Sequence, residues 1–104
     1  MSQSEAIQPV VDALSMASAN TEYSWAVPEN VVGLSIQCRD ATDIRVAFTS
    51  GKVAGSTDPY ITIKAGTALT LPEKTLLKTG LTPTIYMATG SASKVAEIIY
   101  HKRV

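Results

Sequence analysis

From Tyr23 onward the chain repeats one pattern: short runs in which every second residue is apolar, each closed by turn-forming residues. Side chains of an extended strand alternate between two faces, so this period marks strands with one face on a core and the other toward solvent. The cleanest run sets Val32, Leu34, Ile36 and Cys38 against Gly33, Ser35, Gln37 and Arg39. Ile44, Val46 and Phe48 then alternate with Arg45, Ala47 and Thr49. The intervening Asp40-Ala41-Thr42-Asp43 has turn composition, and the two runs predict a β-hairpin. Tyr23 to Val27, Tyr60 to Lys64, Ala68 to Leu71, Thr84 to Thr89 and Lys94 to His101 read as further strands. A less regular segment holds Leu76 and Leu77, punctuated by Gly80 and Pro83. In the last run Glu97 interrupts the face of Val95 and Ile99, which predicts that Ala96, Ile98 and Tyr100 point inward. Residues 50–59, SGKVAGSTDP, read as an exposed loop. About seven short strands, with connections too short for crossover helices, predict an all-β fold: an antiparallel β-sandwich of jelly-roll or Greek-key type.

Residues 1–20 differ. The stretch MSQSEAIQPVVDALSMASAN lacks aromatics and is rich in Ser and Ala. Ile7, Val10 or Val11, and Leu14 recur at helical spacing behind a start at Ser4 and Glu5, with Pro9 near the first turn, where a helix tolerates it. The segment reads as a short helix over about residues 5–17 or as an extended arm that orders against a neighbour. The domain reading is an N-terminal arm or short helix over 1–20 and a single β-sandwich domain over 21–104.

Charge narrows the range of partners. Nine basic residues balance nine acidic ones, whereas a nucleic-acid binder shows a basic excess or a basic face, so no nucleic-acid partner is expected. No run approaches the roughly 18 apolar residues of a membrane span, and the N-terminus lacks the pattern of a secretory signal. Cys38, the one cysteine, can form no intrachain disulfide and is compatible with a reducing compartment. Charged residues make up 17% of the chain, below the usual quarter, and Ser, Thr, Ala and Gly fill the difference. Such a weakly charged, hydroxyl-rich surface suits subunit packing.

No residues are assigned to catalysis, to a cofactor or to a metal, and the expected protein is not an enzyme. The one histidine, His101, lies at a strand end and reads as a surface or interface residue, while Cys38 holds an inward position suited to a small core hydrophobe. Asp40 and Asp43 flank one turn and could together offer oxygen ligands to Ca²⁺, but such residues more often cap the turn through its own backbone. No phosphate-loop register occurs around Gly51-Lys52 or Gly55. The candidate interface residues are Tyr23, Trp25, Arg39, Arg45, Lys52, Tyr60 and Tyr86. Trp and Tyr are over-represented at binding hot spots, although core packing competes for Trp25 and Tyr23. Arg39 and Arg45 flank the predicted turn, with Asp40, Asp43 or Glu97 as carboxylate partners, and one of them is a candidate for a bidentate bridge.

Read in order, these pieces resemble the small virion-associated β-sandwich proteins of tailed bacteriophages. The matching parts are Tyr23-Ser24, Val27-Pro28, Gln37-Cys38-Arg39, Asp43-Ile44-Arg45, Thr62-Ile63-Lys64-Ala65-Gly66, Ile85-Tyr86-Met87-Ala88 and Val95-Ala96-Glu97-Ile98. The resemblance spans residues 22–100 and carries over no catalytic residue. It implies a structural protein of a virion, made in the host cytoplasm, most simply for capsid decoration. A head–tail, neck or fibre component is the nearest alternative. The implied partners are copies of itself, forming a homo-oligomer, and a major capsid or other virion protein. A carbohydrate- or surface-binding module is the reading from a different class, and it would need an exposed row of Trp and Tyr.

Overall fold

A computed structural model describes residues 6–72 and 83–103, so Leu76, Leu77 and Gly80 lie outside the described residues. Eight strands run through the described residues: β1 Ile7–Met16, β2 Tyr23–Ala26, β3 Val31–Cys38, β4 Ile44–Ala47, β5 Ile61–Ile63, β6 Ala68–Pro72, β7 Thr84–Thr89 and β8 Lys94–Arg103. They form two antiparallel four-stranded sheets, ordered β1-β8-β3-β6 and β2-β7-β4-β5. First pairs with last in each instance (β1 with β8, β2 with β7, β3 with β6, β4 with β5), as in a ribbon folded over on itself. This is the strand order of a jelly roll, within the class the alternating runs predict.

The core lies between the sheets, where Leu34, Ile36, Ile98 and Tyr100 of the first meet Trp25, Ile44, Val46, Ile85 and Met87 of the second. Ala96, Ile98 and Tyr100 point inward, as the interruption at Glu97 predicts. The Trp25 and Tyr100 rings meet at a centroid distance of 5.8 Å and an interplanar angle of 55°, a tilted contact favoured by aromatic quadrupoles.

Of the two readings of the N-terminal segment, the helix does not form over the described residues and the chain is extended. Residues 7–16 are β1, in register with β8 along its whole length from Ile7 opposite Arg103 to Met16 opposite Lys94. The ambiguity has a simple origin. Val10 and Leu14 are four residues apart, which fits one helical turn and equally fits one face of a strand. An isolated helix of this length is marginal in water, whereas β8 offers a complete ladder. The segment is therefore an integral edge strand of the first sheet.

The hairpin predicted across Asp40–Asp43 is also replaced. β3 and β4 belong to different sheets, and the turn between them carries the chain across the core. Turn composition marks a reversal without naming the partner, and β3 finds its partners in β8 and β6. Within β3, a register shift between Val31 and Gly33 makes Val32 the extra residue of a β-bulge. Val31 is thereby turned into the core with Leu34, and Val32, expected to face inward with Leu34, is only half-buried.

Candidate functional site

Catalytic and metal chemistry find no assembled site among the described residues. Cys38 pairs with Ala96 while His101 pairs with Gly33, five residues further along the same ladder, or roughly 17 Å. Asp40 and Asp43 diverge. Asp40 lies 4.0 Å from Lys94 Nζ, while Asp43 accepts the Ala65 amide at 2.7 Å and lies 3.9 Å from Lys64. No group of three or more His, Cys, Asp or Glu converges among the described residues.

The two outer faces of the sandwich differ. On the β2-β7-β4-β5 sheet the outer face is covered in part by residues 50–59. The loop reading misses Val53, which is fully buried and packs with Ala47 and Ala88 against Tyr60 and Tyr86. Two side chains fasten the segment. Arg45 Nε donates to the Val53 carbonyl at 2.6 Å and Arg45 Nη2 to Asn20 Oδ1 at 2.8 Å. Glu22 accepts the Ser50 hydroxyl at 2.9 Å and the Gly51 amide at 2.8 Å. Arg45 thus serves carbonyls, so of the two arginines that were candidates for a carboxylate bridge it is not the one. A positively charged donor with several N–H groups suits a loop that folds back with its carbonyls inward.

Among the described residues, no segment covers the outer face of the β1-β8-β3-β6 sheet. Cross-strand pairing forms two rows across the sheet, Val11–Ile99–Ser35 and Ala13–Glu97–Gln37–Ala68. The rows floor a shallow depression of about 310 Å³. Val11 is 74% exposed, Ile7 46% and Ile99 41%. At one end of this apolar strip sits a polar cluster. Arg39 Nε donates to Glu97 Oε2 at 2.8 Å and Gln37 Nε2 to Glu97 Oε1 at 3.0 Å. The Arg39 hydrogen bond, then that of Gln37, holds the Glu97 carboxyl below its ordinary value of 4.5. Arg39 therefore does meet a carboxylate, through one nitrogen. Ser35 and Thr70 hydroxyls pair at 2.9 Å on the same face.

Of the predicted interface residues, Arg45, Lys52, Tyr60 and Tyr86 gather at the 50–59 segment, while Tyr23, Trp25 and Arg39 lie elsewhere. Trp25 is buried, with its indole Nε1 donating to Asp12 Oδ2 at 2.9 Å. Tyr23 is half-buried against the core and accepts the Ser18 amide at 2.9 Å. Tyr60 and Tyr86 pack under the 50–59 segment, whose Lys52 is half-buried. With Tyr100 in the core, the aromatic rings of the described residues form no exposed row. The apolar strip of Ile7, Val11 and Ile99 was missed because its members come from opposite ends of the chain. Alternation places Ile99 in a strand, but Ile7 and Val11 were read at helical spacing, and only the β1–β8 register makes the three neighbours.

No family model matches the sequence, and no curated protein matches it. The fold is similar to that of a chain from Bacillus endospore appendages, which form a novel family of disulfide-linked pili (TM-score 0.50, 14% identity, 98% of this chain and 92% of that one). It is likewise similar to a de novo designed double-stranded β-helix (TM-score 0.52, 12% identity, 91% of this chain and 99% of that one). At such identities the likeness is one of fold.

Proposed function

We propose that this chain is a non-enzymatic structural subunit that works by packing the outer face of its β1-β8-β3-β6 sheet against further copies of itself. The observation behind the reading is the strip of Ile7, Val11 and Ile99, exposed on adjacent strands and rimmed by Arg39 and Glu97. An apolar centre with a polar rim is the anatomy of a protein–protein contact. The balanced net charge leaves little long-range repulsion between copies. The pilus chain of similar fold supports the same reading, since it belongs to an assembly. The mode of linkage differs, because a disulfide-linked polymer needs at least two bonding cysteines per subunit and only Cys38 occurs in these 104 residues. The virion of a tailed phage, with this chain decorating the capsid, is the setting implied by the sequence resemblance.

Two measurements test the proposal. Light-scattering mass across a concentration series should show association in the parent chain and its loss in Ile99→Lys with strand content unchanged. A parent that stays monomeric, or an Ile99→Lys variant that associates equally well, refutes the face as the contact. Mass spectrometry of purified tailed-phage particles should recover peptides of this chain, and their absence from such particles removes the virion setting.

A further inference from the structure

The direction of the backbone groups along β1 follows from two hydrogen bonds elsewhere. Arg39 N donates to Val95 O at 3.0 Å and Arg103 N to Asn30 O at 2.9 Å, so odd-numbered residues of β8 turn their polar groups toward the β3 side. In an antiparallel ladder these groups alternate in direction along the strand. The even-numbered residues of β8 therefore bond β1, through Gln8, Val10, Asp12, Leu14 and Met16. The amides and carbonyls of Ile7, Val11, Ala13 and Ser15 point to the open edge, and so does the carbonyl of Pro9. An exposed row of this kind is a template for another strand.

This edge is interrupted at two places. Pro9 has no N–H to offer, and the Ala13 amide is already bonded to Asp12 Oδ1 at 2.8 Å. Asp12 is held in place from the other side by the Trp25 indole on its Oδ2. We infer that the open edge of β1 is a strand-accepting site held closed by Pro9 and Asp12, and that the strand they exclude is β1 of a second copy. A two-fold axis through Val11 pairs it with itself, places Ile7 opposite Ser15 and Pro9 opposite Ala13, and keeps outward residues beside outward ones. It also keeps the two Asp12 carboxylates from lying directly opposite each other, where like charges destabilise a pair. In this register the missing donor of Pro9 and the occupied amide of Ala13 fall on the same pair, which is left without a hydrogen bond. The two residues thus leave face packing as the route of assembly.

The test uses the full chain carrying Ile99→Lys, which disables the proposed face and leaves the edge intact, so the two readings fail separately. In that background Pro9→Val with Asp12→Ala should self-associate roughly tenfold more tightly by light scattering, the effect of about 1.4 kcal/mol of restored hydrogen bonding. The Val11 and Ser15 amides should become slow to exchange with deuterium as the mass rises. Pro9→Val alone, which touches no core contact, should show a smaller gain in the same direction. Unchanged mass and exchange in Pro9→Val and in the double variant, with strand content retained, overturn the inference. So would slow exchange of the Val11 and Ser15 amides in monomeric Ile99→Lys protein, since the edge would then already be covered.

Discussion

Asp12 stands in an exposed edge strand, yet its two carboxylate oxygens are both in use, one on the Ala13 amide and one on the Trp25 indole. It ties β1 to β2 across the corner where the two sheets part. Asp12→Ala leaves the indole N–H of a buried ring without a partner, which should cost about 1–3 kcal/mol in urea denaturation. Glu97 gives a pH-dependent expectation. Its carboxyl titrates lower in the folded chain than its ordinary 4.5 because Arg39 and Gln37 bond the charged form. The stabilisation is therefore complete above about pH 4.5 and is lost as the pH falls through the lower folded value. Urea midpoints measured downward from pH 6 should decline more steeply in the parent than in Glu97→Gln. Equal slopes would mean the cluster adds nothing to the acid sensitivity of the fold. The Arg39–Glu97 pairing was legible in part, since Glu97 interrupts an apolar face and was one of three carboxylates offered as partners for Arg39. The Asp12–Trp25 contact was not, because nothing local links a carboxylate to an indole thirteen residues away.

At the level of elements, residues 50–59 show where composition misleads. Gly, Ser and Pro report that a segment turns; they do not report whether it folds back. Val53 decides the matter, since a fully buried β-branched side chain anchors the middle of the segment to Ala47 and Ala88. The Arg45 and Glu22 hydrogen bonds then hold its backbone to the sheet. Trypsin cleavage at Lys52 is the natural readout of this fastening. Arg45→Met should accelerate that cleavage several-fold by releasing the Val53 and Asn20 contacts, while global stability changes less, because the two sheets keep their own core. Val53→Ala should act in the same sense and lower stability by roughly 1–3 kcal/mol. If neither variant changes the rate at Lys52, the segment is held by something other than these contacts. The same reasoning explains β1. Its apolar spacing was compatible with two secondary structures, and only the partner strand, at the far end of the chain, selects one.

For the whole molecule, the individual strands from β2 onward were legible and their pairing was not. β3, β7 and β8 could be placed by alternation alone, yet each neighbour relation except that of β4 and β5 joins strands that are not consecutive. Local sequence carries the period of a strand but no address for its partner, so the jelly roll could be named as a class and not drawn. The assembly surface is hidden for the same reason, being made by that pairing. Its location leads to a last expectation. A second exposed apolar pair, Phe48 and Ile61, lies on the other sheet, near β4 and β5. If the strip of Ile7, Val11 and Ile99 met this pair on the next copy, the contact would be head-to-tail and would close into a ring or run on as a fibre. If the strip meets itself, the contact is two-fold and ends at a dimer, the commonest closed form. The strip is the larger of the two patches, and a two-fold contact covers it on both copies at once. The expected product is the two-fold dimer. Ile99→Lys should then reduce the light-scattering mass to that of a monomer while Phe48→Lys leaves it at the dimer. An equal loss from both substitutions would assign the contact to the head-to-tail arrangement, in which each copy contributes one patch of each kind.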